Sequence, residues 1–136
     1  MFGTFQQSSL RIEVEASEET LAKSLTQVKE LQNWLWFERF SIASLHGNVP
    51  GISDTLAPGT KLTGRIGLVT IQHEVELAEP NRVRFLLSQG IDGFHEWAWG
   101  NGWVQSRIEG ISLLPISLGQ TATLLSLKQY LRSQSE

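Results

Sequence analysis

Residues 68–78 read LVTIQHEVELA and alternate apolar with polar side chains over most of the stretch. Successive side chains of a strand point to opposite faces, so this pattern predicts a half-buried β-strand. The apolar face carries Val69, Ile71, His73, Val75 and Leu77, and the polar face carries Thr70, Gln72, Glu74 and Glu76. The short connector 79–81 and a strand-like segment at 82–89 follow at once, which predicts an antiparallel hairpin.

Further strands are predicted on both sides of this hairpin, at residues 9–15, 37–45, 60–66, 94–99 and 103–113. The connectors 90–93 and 100–102 are short and rich in glycine, which favours antiparallel neighbours. The loop from Gly47 to Gly59 is longer and carries Val49, Ile52 and Leu56 among polar residues. Such a loop is either a lid over a pocket or a passive connector on the rim of the sheet.

Two helices complete the pattern. Ser17 followed by two glutamates is a typical helix start, because the hydroxyl caps free amides and the acids favour the positive end of the helix dipole. The leucines after it recur at helical spacing and predict a helix from Ser17 to about Leu35, with a break near Lys29. The apolar residues of 117–133 fit neither a clean helical stripe nor strict alternation, so helix and strand both stay open there. The segment lacks valine and isoleucine and is rich in helix formers, so a C-terminal helix is our prediction.

The element order resembles the START-like superfamily, also named SRPBCC, which includes the birch pollen allergen, lipid-transfer domains and polyketide cyclase/dehydrase-type proteins. The segments that carry the resemblance are the strand leading into Ser17-Glu18-Glu19, Trp34-Leu35-Trp36, Ala57-Pro58-Gly59-Thr60, the hairpin at 74–83, and Leu127-Lys128-Gln129-Tyr130-Leu131. The resemblance implies one α+β domain over residues 1–136 with a helix-grip fold. In that fold a curved, seven-stranded antiparallel sheet wraps around a C-terminal helix and leaves a hydrophobic cavity between them.

Composition narrows the possible functions. The chain has 136 residues and a formal net charge of -3, so it has no basic field to attract nucleic acid. It has no cysteine, which excludes disulfides and cysteine-ligated metals, and no metal or cofactor motif is present, so we expect neither group. No apolar run is long enough to cross a bilayer, and the first residues do not resemble a signal peptide. The expected location is therefore the cytoplasm.

Two groups of residues are candidates for a binding site. His73 lies on the apolar face of its strand, where it is either a hydrogen-bonded core residue or a polar anchor for a ligand. Residues 92–103 place His95, Trp97 and Trp99 on one strand face, with Trp103 beyond a glycine-rich turn. This face is either the pocket side or the outer side of the sheet. These indoles either grip a ligand or fill the space under the sheet. The predicted ligand-binding residues are Trp36, Val69, Ile71, His73, Val75, Phe85, His95, Trp97, Trp99 and Trp103.

The remaining charged residues indicate an ordinary outer surface. Glu74 and Glu76 face Arg82 and Arg84 across the hairpin, and Arg107 shares a strand face with Glu109, which predicts exposed ion pairs. Three functions stay open: binding or transport of a small hydrophobic molecule such as a lipid, a cyclase or dehydratase acting on an aromatic polyketide-like substrate, and a non-catalytic interaction module whose cavity is filled by its own side chains. The identity of the ligand and the oligomeric state are not predicted.

Overall fold

The fold was obtained as a computed structural model, and residues 3–34, 41–44, 55–66, 68–112 and 114–134 are described. The elements in chain order are β1 (Thr4–Glu13), α1 (Glu18–Thr26), α2 (Val28–Trp34), β2 (Ser41–Ser44), β3 (Lys61–Ile66), β4 (Val69–Glu79), β5 (Arg82–Gln89), β6 (Ile91–Gly100), β7 (Trp103–Ser112) and α3 (Ile116–Gln134). The predicted α+β element order is confirmed.

Six strands of six or more residues and the four-residue β2 form one seven-stranded sheet. Its strand order is β1-β7-β6-β5-β4-β3-β2, and every neighbouring pair is antiparallel. Chain neighbours from β2 to β7 lie side by side, and β1 joins at the β7 edge. The inner face of the sheet contributes half of the buried apolar residues in the described part of the chain, and α3 packs on β1 and β7.

A pair of strand glycines lies where the prediction placed a turn. Residues 90–93 were predicted to connect two strands, but β6 already begins at Ile91, and Gly93 lies opposite Gly110 of β7. A Cβ at Gly93 would overlap the carbonyl oxygen of Glu109, and one at Gly110 would lie 2.6 Å from the carbonyl oxygen of Asp92. The two glycines are therefore required by close backbone approach within the sheet rather than by a turn.

A β-bulge in β4 changes the predicted alternation. The register shifts between Val75 and Leu77, so that Val75 pairs with Phe85 while Leu77 pairs with Arg84. Val75 is buried and continues the inward row, whereas Leu77 is only partly buried. The prediction that Leu77 shares the face of His73 was wrong, because an extra residue in one strand resets the side-chain period.

Gln6 attaches the start of α3 to the sheet. Its side-chain nitrogen donates to the carbonyl oxygens of Ser112, at 3.2 Å, and Leu114, at 2.9 Å, while its oxygen accepts from the backbone N–H of Ile116 at 3.1 Å. The first N–H groups of a helix have no partner within the helix, so this contact also caps α3. The sequence predicted α3 at residues 117–133, and the observed helix extends one residue further at each end.

The first helical segment is interrupted at Gln27, two residues before the predicted break at Lys29. Gln27 forms an isolated bridge with Thr55, and the backbone N–H of Leu56 donates to the carbonyl oxygen of Thr26 at 2.7 Å. Leu56 is itself buried, so this end of the predicted lid is anchored in the core. Residues 47–54 of the predicted lid, the predicted strand residues 37–40 and Leu45 lie outside the described residues. None of the described helices combines the length and apolar character needed to span a bilayer.

We expect Gly93→Ala to lower the free energy of unfolding by about 2–4 kcal/mol, because a methyl group there collides with the backbone of β7. Urea denaturation measures the change. Gly119→Ala in α3 is the matched control, since a Cβ there has no atom within 4 Å and alanine favours a helix. Equal stability of the two variants would contradict the close approach at Gly93.

Candidate functional site

A cavity of about 250 Å³ lies between the inner face of the sheet and α3. Apolar side chains form most of its wall, and a few polar side chains from the sheet and from α3 complete it. The lining residues are Leu31, Trp34, Leu62, Ile71, His73, Phe85, Leu87, Ile91, His95, Trp97, Ile108, Leu114, Pro115, Ile116, Leu118, Gly119, Gln120 and Thr123. They come from α2, from strands β3 to β7, and from the segment leading into and through the first half of α3.

Two tryptophans form part of the apolar wall. Trp34 and Trp97 meet edge to face, with ring centroids 5.8 Å apart and planes at 85°. The indole N–H of Trp34 donates to the backbone carbonyl of Ser24 at 2.9 Å, which fixes the ring on α1. Both tryptophans are buried, yet the cavity remains beside them. Their packing is therefore consistent with a wall and does not fill the space.

The start of α3 forms an opening to the cavity. Leu118 lines the space while 69% of it is exposed, and Pro115 is also exposed. Residues that touch both the cavity and the solvent mark a mouth. Gly119 lies beside them, and a Cβ there would have no atom within 4 Å. The helix therefore leaves a gap at this position where any other residue would place a side chain.

Two histidines reach the cavity from different strands. His73 of β4 lies edge to face with Phe85, with ring centroids 5.6 Å apart. His95 of β6 lies across from Phe85 in the sheet and packs on Trp97 with ring centroids 4.6 Å apart. Both imidazoles thus lie on the wall formed by β4, β5 and β6. The strand alternation predicted this inward direction for His73. For His95 it predicted only a face shared with Trp97 and Trp99, and the structure places that face on the cavity side.

A chain of hydrogen bonds leads from His95 to the edge of the sheet. His95 Nε2 lies 2.7 Å from Ser106 Oγ, and Gln120 Nε2 donates to Ser106 Oγ at 3.1 Å and to the Ser106 carbonyl at 2.8 Å. Gln120 Nε2 also donates to the carbonyl of Ser8 at 3.2 Å, and Ser8 Oγ donates to Gln120 Oε1 at 2.6 Å. Two polar residues of the cavity wall, His95 and Gln120, are therefore joined through Ser106 of β7, and Gln120 is also bonded to Ser8 of β1.

Burial keeps both cavity histidines neutral. Loss of water lowers the pKa of His73 from 6.5 to about 4, although a hydrogen bond with the backbone of Ile71 opposes the change. Loss of water and, to a smaller extent, the neighbouring His73 together lower the pKa of His95 from 6.5 to about 3. At neutral pH each ring therefore has one N–H donor and one acceptor nitrogen.

Half of the predicted site residues line the cavity: Ile71, His73, Phe85, His95 and Trp97. Val69, Val75 and Trp99 do not. Val75 and Trp99 are buried in the core, with Trp99 at the end of β6 that contacts α1, and Val69 is partly buried at the start of β4. Trp36 lies outside the described residues.

The prediction for Trp103 was wrong. Val104, Ser106 and Ile108 are the buried residues of β7, so Trp103 lies on the opposite, outer face of the sheet. There the Arg11 guanidinium lies 4.1 Å from the centre of its ring. The alternation of residues 103–108 already contained this information. The grouping of Trp103 with Trp97 and Trp99 by proximity in the chain obscured it.

Two polar residues that line the cavity, Gln120 and Thr123, and the buried Ser106 that bonds to His95 were missed. Gln120 and Thr123 occupy the buried stripe of α3 together with Ile116, Leu124 and Leu127. Ser106 occupies an inward position of β7 and is completely buried. The available signal was a polar residue at a position that the helix or strand period assigns to the buried face, where an apolar residue is expected. Trp34 was quoted in the resemblance, but Trp36 was selected in its place.

The outer face of the sheet carries two of the predicted ion pairs, Arg84 with Glu76 at 3.2 Å and Arg107 with Glu109 at 2.7 Å. Arg84 also contacts Glu96 at 2.5 Å, which was not predicted. Arg82 contacts Glu79 at 2.7 Å, and Glu74 lies opposite Leu86 rather than an arginine. These pairs lie on the side away from the cavity. Within the described ranges no group of three or more histidine, aspartate or glutamate side chains is placed to hold a metal ion.

No family model matches the sequence, and no curated protein matches it. Solved structures do match. Ginseng major latex-like protein 151 from Panax ginseng aligns over 95% of this chain and 99% of its own, with 7% identity and a TM-score of 0.72. The Aha1 protein from Colwellia psychrerythraea, solved as a dimer, aligns over 93% and 96%, with 18% identity and a TM-score of 0.61. The chain shares the helix-grip fold of these proteins.

DynU16, a protein in the dynemicin biosynthetic locus, has the same architecture. It matches 94% of this chain with 15% identity and a TM-score of 0.68. The chain spans about half of DynU16, since 48% of that protein is covered. At these identities the likeness establishes the helix-grip fold alone. The use of the cavity has to be argued from its own residues.

The histidines predict that stability falls as the pH is lowered. In the unfolded chain each takes up a proton near pH 6.5, whereas the folded pKa values of His73 and His95 are about 4 and about 3. Between about pH 7 and about pH 5.5 protons therefore bind mainly to the unfolded state, which costs about 1 kcal/mol for each histidine. Urea denaturation at the two pH values measures this.

His73→Leu is expected to remove about half of that pH dependence, because one of the two groups is gone. Gln72→Leu is the matched control on the outer face of the same strand and should leave the pH dependence unchanged. If His73→Leu and the parent chain lose the same free energy of unfolding over this range, the neutral, buried state of His73 is wrong.

Proposed function

We propose that the protein binds a small, neutral, predominantly apolar molecule in the cavity between the sheet and α3. The observation that carries this proposal is the cavity itself, a mostly apolar space of about 250 Å³ whose described lining includes the polar side chains of His73, His95, Gln120 and Thr123. Ligand sites in proteins commonly have this composition, with apolar walls for affinity and a few polar groups for orientation. The helix-grip fold supports the proposal as an architecture that forms such a cavity.

The volume limits the size of the ligand. A cavity of roughly 150 Å³ lined by apolar side chains holds one benzene molecule, and pockets for drug-sized ligands begin near roughly 300 Å³. The volume of about 250 Å³ lies between the two. Scaling from benzene gives about ten non-hydrogen atoms, the size of a fused two-ring compound. A long lipid chain fits only if it extends through the mouth beside Leu118.

The electrostatics favour a neutral ligand. A buried charge is costly unless an opposite charge or several hydrogen bonds compensate it. Both histidines are neutral at pH 7, since burial lowers the pKa of each, and the charged residues of the outer face are directed away from the cavity. The lining residues include no arginine, lysine, aspartate or glutamate. A carboxylate or an ammonium group would therefore find no countercharge on the described walls.

Acid–base catalysis on a polyketide-like substrate is the second candidate, and the two imidazoles on one wall favour it. A general base works best with a pKa near the working pH, whereas burial places the pKa values of His73 and His95 at about 4 and about 3. At pH 7 both rings are ready to form hydrogen bonds and are weak bases. Binding is therefore the better supported function.

Native mass spectrometry of the protein purified from its source tests the proposal directly. Binding predicts a copurifying compound of one or two rings at a stoichiometric amount, which extraction then identifies. In parallel, tetralin serves as a neutral apolar probe of about ten non-hydrogen atoms. Its binding should change the fluorescence of Trp34 and Trp97. Absence of both a copurifying compound and a saturable tetralin response would contradict the proposal.

Gly119→Leu is expected to weaken tetralin binding by at least about tenfold, because its side chain enters the open space at the mouth of the cavity. The same change should raise the free energy of unfolding by about 0.5–1 kcal/mol, since glycine is unfavourable within a helix. Fluorescence titration and urea denaturation measure the two effects.

Gly119→Ala is the matched control, with the same helical gain and little added volume. Its tetralin affinity should stay close to that of the parent chain. Loss of binding in the leucine variant together with increased stability would show that blocking, and not unfolding, is the cause. Unchanged binding in both variants would place the ligand elsewhere.

A further inference from the structure

The side-chain amide of Gln120 has only one chemically sensible orientation. Its nitrogen faces two backbone carbonyl oxygens, those of Ser106 at 2.8 Å and Ser8 at 3.2 Å, and both are acceptors. Its oxygen lies 2.6 Å from Ser8 Oγ, which donates to it. Rotating the amide by half a turn would set an oxygen against two carbonyl oxygens, with no proton between them. The NH₂ group of Gln120 therefore points at Ser106.

This orientation determines the direction of the Ser106 hydroxyl. Gln120 Nε2 lies 3.1 Å from Ser106 Oγ and has only protons to offer, so the serine oxygen accepts from it. The other partner of the hydroxyl in the described part of the chain is His95 Nε2, at 2.7 Å. Ser106 is completely buried, so its hydroxyl proton cannot be donated to bulk water. The hydroxyl satisfies its hydrogen bonds by donating that proton to His95.

The Ser106 hydroxyl in turn determines the state of His95. A neutral imidazole has one protonated nitrogen, and the hydrogen bond made by one nitrogen decides which it is. Because Nε2 accepts from Ser106, the proton of His95 lies on Nδ1. His95 lines the cavity, and Nδ1 has no hydrogen-bond partner among the described residues. The other cavity imidazole, His73, hydrogen-bonds the backbone of Ile71.

We propose that Ser8, Gln120 and Ser106 hold His95 in the Nδ1–H tautomer, so that the cavity presents a hydrogen-bond donor to its ligand. The preferred ligands are then neutral two-ring compounds that carry an acceptor, such as a ketone oxygen, and no charge. Ser106 and Gln120 act as positioning residues, and His95 makes the contact. This inference rests on the proposed binding function for its choice of ligand, whereas the tautomer itself is a property of the free protein.

The tautomer is measured first, without any ligand. Long-range proton–nitrogen NMR correlations on the full chain at neutral pH distinguish a protonated ring nitrogen from an unprotonated one. The expected spectrum shows His95 with a protonated Nδ1 and an unprotonated Nε2. A protonated Nε2 overturns the proposal whether or not any compound binds.

Ser106→Ala removes the donor to Nε2, and the Nδ1–H preference of His95 should be lost. Ser106→Thr keeps a hydroxyl at the same place and should retain the preference. A purely structural role for Ser106 would not change the nitrogen spectrum in this way. If the alanine variant does not fold, the spectrum of the parent chain still decides the matter.

The ligand preference is measured with a matched pair, 1-tetralone and tetralin, which differ by one ketone oxygen. We expect the parent chain to bind 1-tetralone about tenfold more tightly than tetralin, because one net hydrogen bond supplies about this ratio of affinities. In Ser106→Ala this ratio should fall several-fold, because only a fraction of the molecules then hold the proton at Nδ1. Ser106→Thr should keep it.

The outcomes separate the two proposals. If neither compound binds, the proposed binding function fails. If both bind with equal affinity, the cavity binds ligands but the donor assignment is overturned. A preference for the ketone that is unchanged in Ser106→Ala overturns the positioning role of Ser106.

Discussion

The hydrogen bonds of Gln120 are the constraint on which both the fold and the site depend. A buried amide must be satisfied on both its oxygen and its nitrogen, and Gln120 achieves this only with α3 held against β1 and β7 at one separation. Gln6 of β1 makes hydrogen bonds of the same kind to Leu114 and Ile116, about one helical turn before Gln120. The side-chain amides of Gln6 and Gln120 thus fix the distance of α3 from the edge of the sheet and its rotation about its own axis. Apolar packing alone would allow the helix to shift along the sheet.

The cavity follows from this attachment. The polar contacts at the β1 edge set the distance between α3 and the sheet. Because of this distance α3 cannot pack closely on β4, β5 and β6, and the space between them stays open. Gly119 and Thr123 on α3 are small and leave the volume unfilled, while large rings from α2 and β6 form the far wall. Empty apolar space lowers stability, because its lining atoms lose contacts. The retention of about 250 Å³ therefore argues for a use.

Strand alternation and helical spacing were sufficient to predict nearly every element, the inward direction of His73, and the shared face of His95, Trp97 and Trp99. Those periods report which face a residue occupies, and a buried face has strong apolar demands. They do not report where along the inner face the cavity lies. Val75 and Trp99 point inward as predicted but pack in the core, since the position of the cavity depends on how α3 sits.

The other errors have local physical causes. Gly93 was read as part of a turn because glycine marks both turns and close strand approach, and only its pairing with Gly110 distinguishes the two. Leu77 changed its partner because a bulge has no clear signature in one sequence. Trp103 was misplaced although its own strand alternation was informative. The hydrogen-bond partners of Gln120 lie on strands distant in the chain, so no local sequence pattern predicts them.

The neutrality of the histidines connects the fold to the choice between binding and catalysis. The same burial that lowers the pKa of His95 removes competing water from its ring, so a hydrogen bond to a ligand there is stronger than on the surface. That burial also makes the ring a weak base, since accepting a proton would create a charge with no partner on the cavity wall. A site arranged in this way gains recognition at the expense of proton transfer. The hydrogen bonds of Ser8, Gln120 and Ser106 also disfavour catalysis, because a network that fixes one tautomer stabilises the neutral imidazole of His95. General-base catalysis would have to break these hydrogen bonds at each turnover.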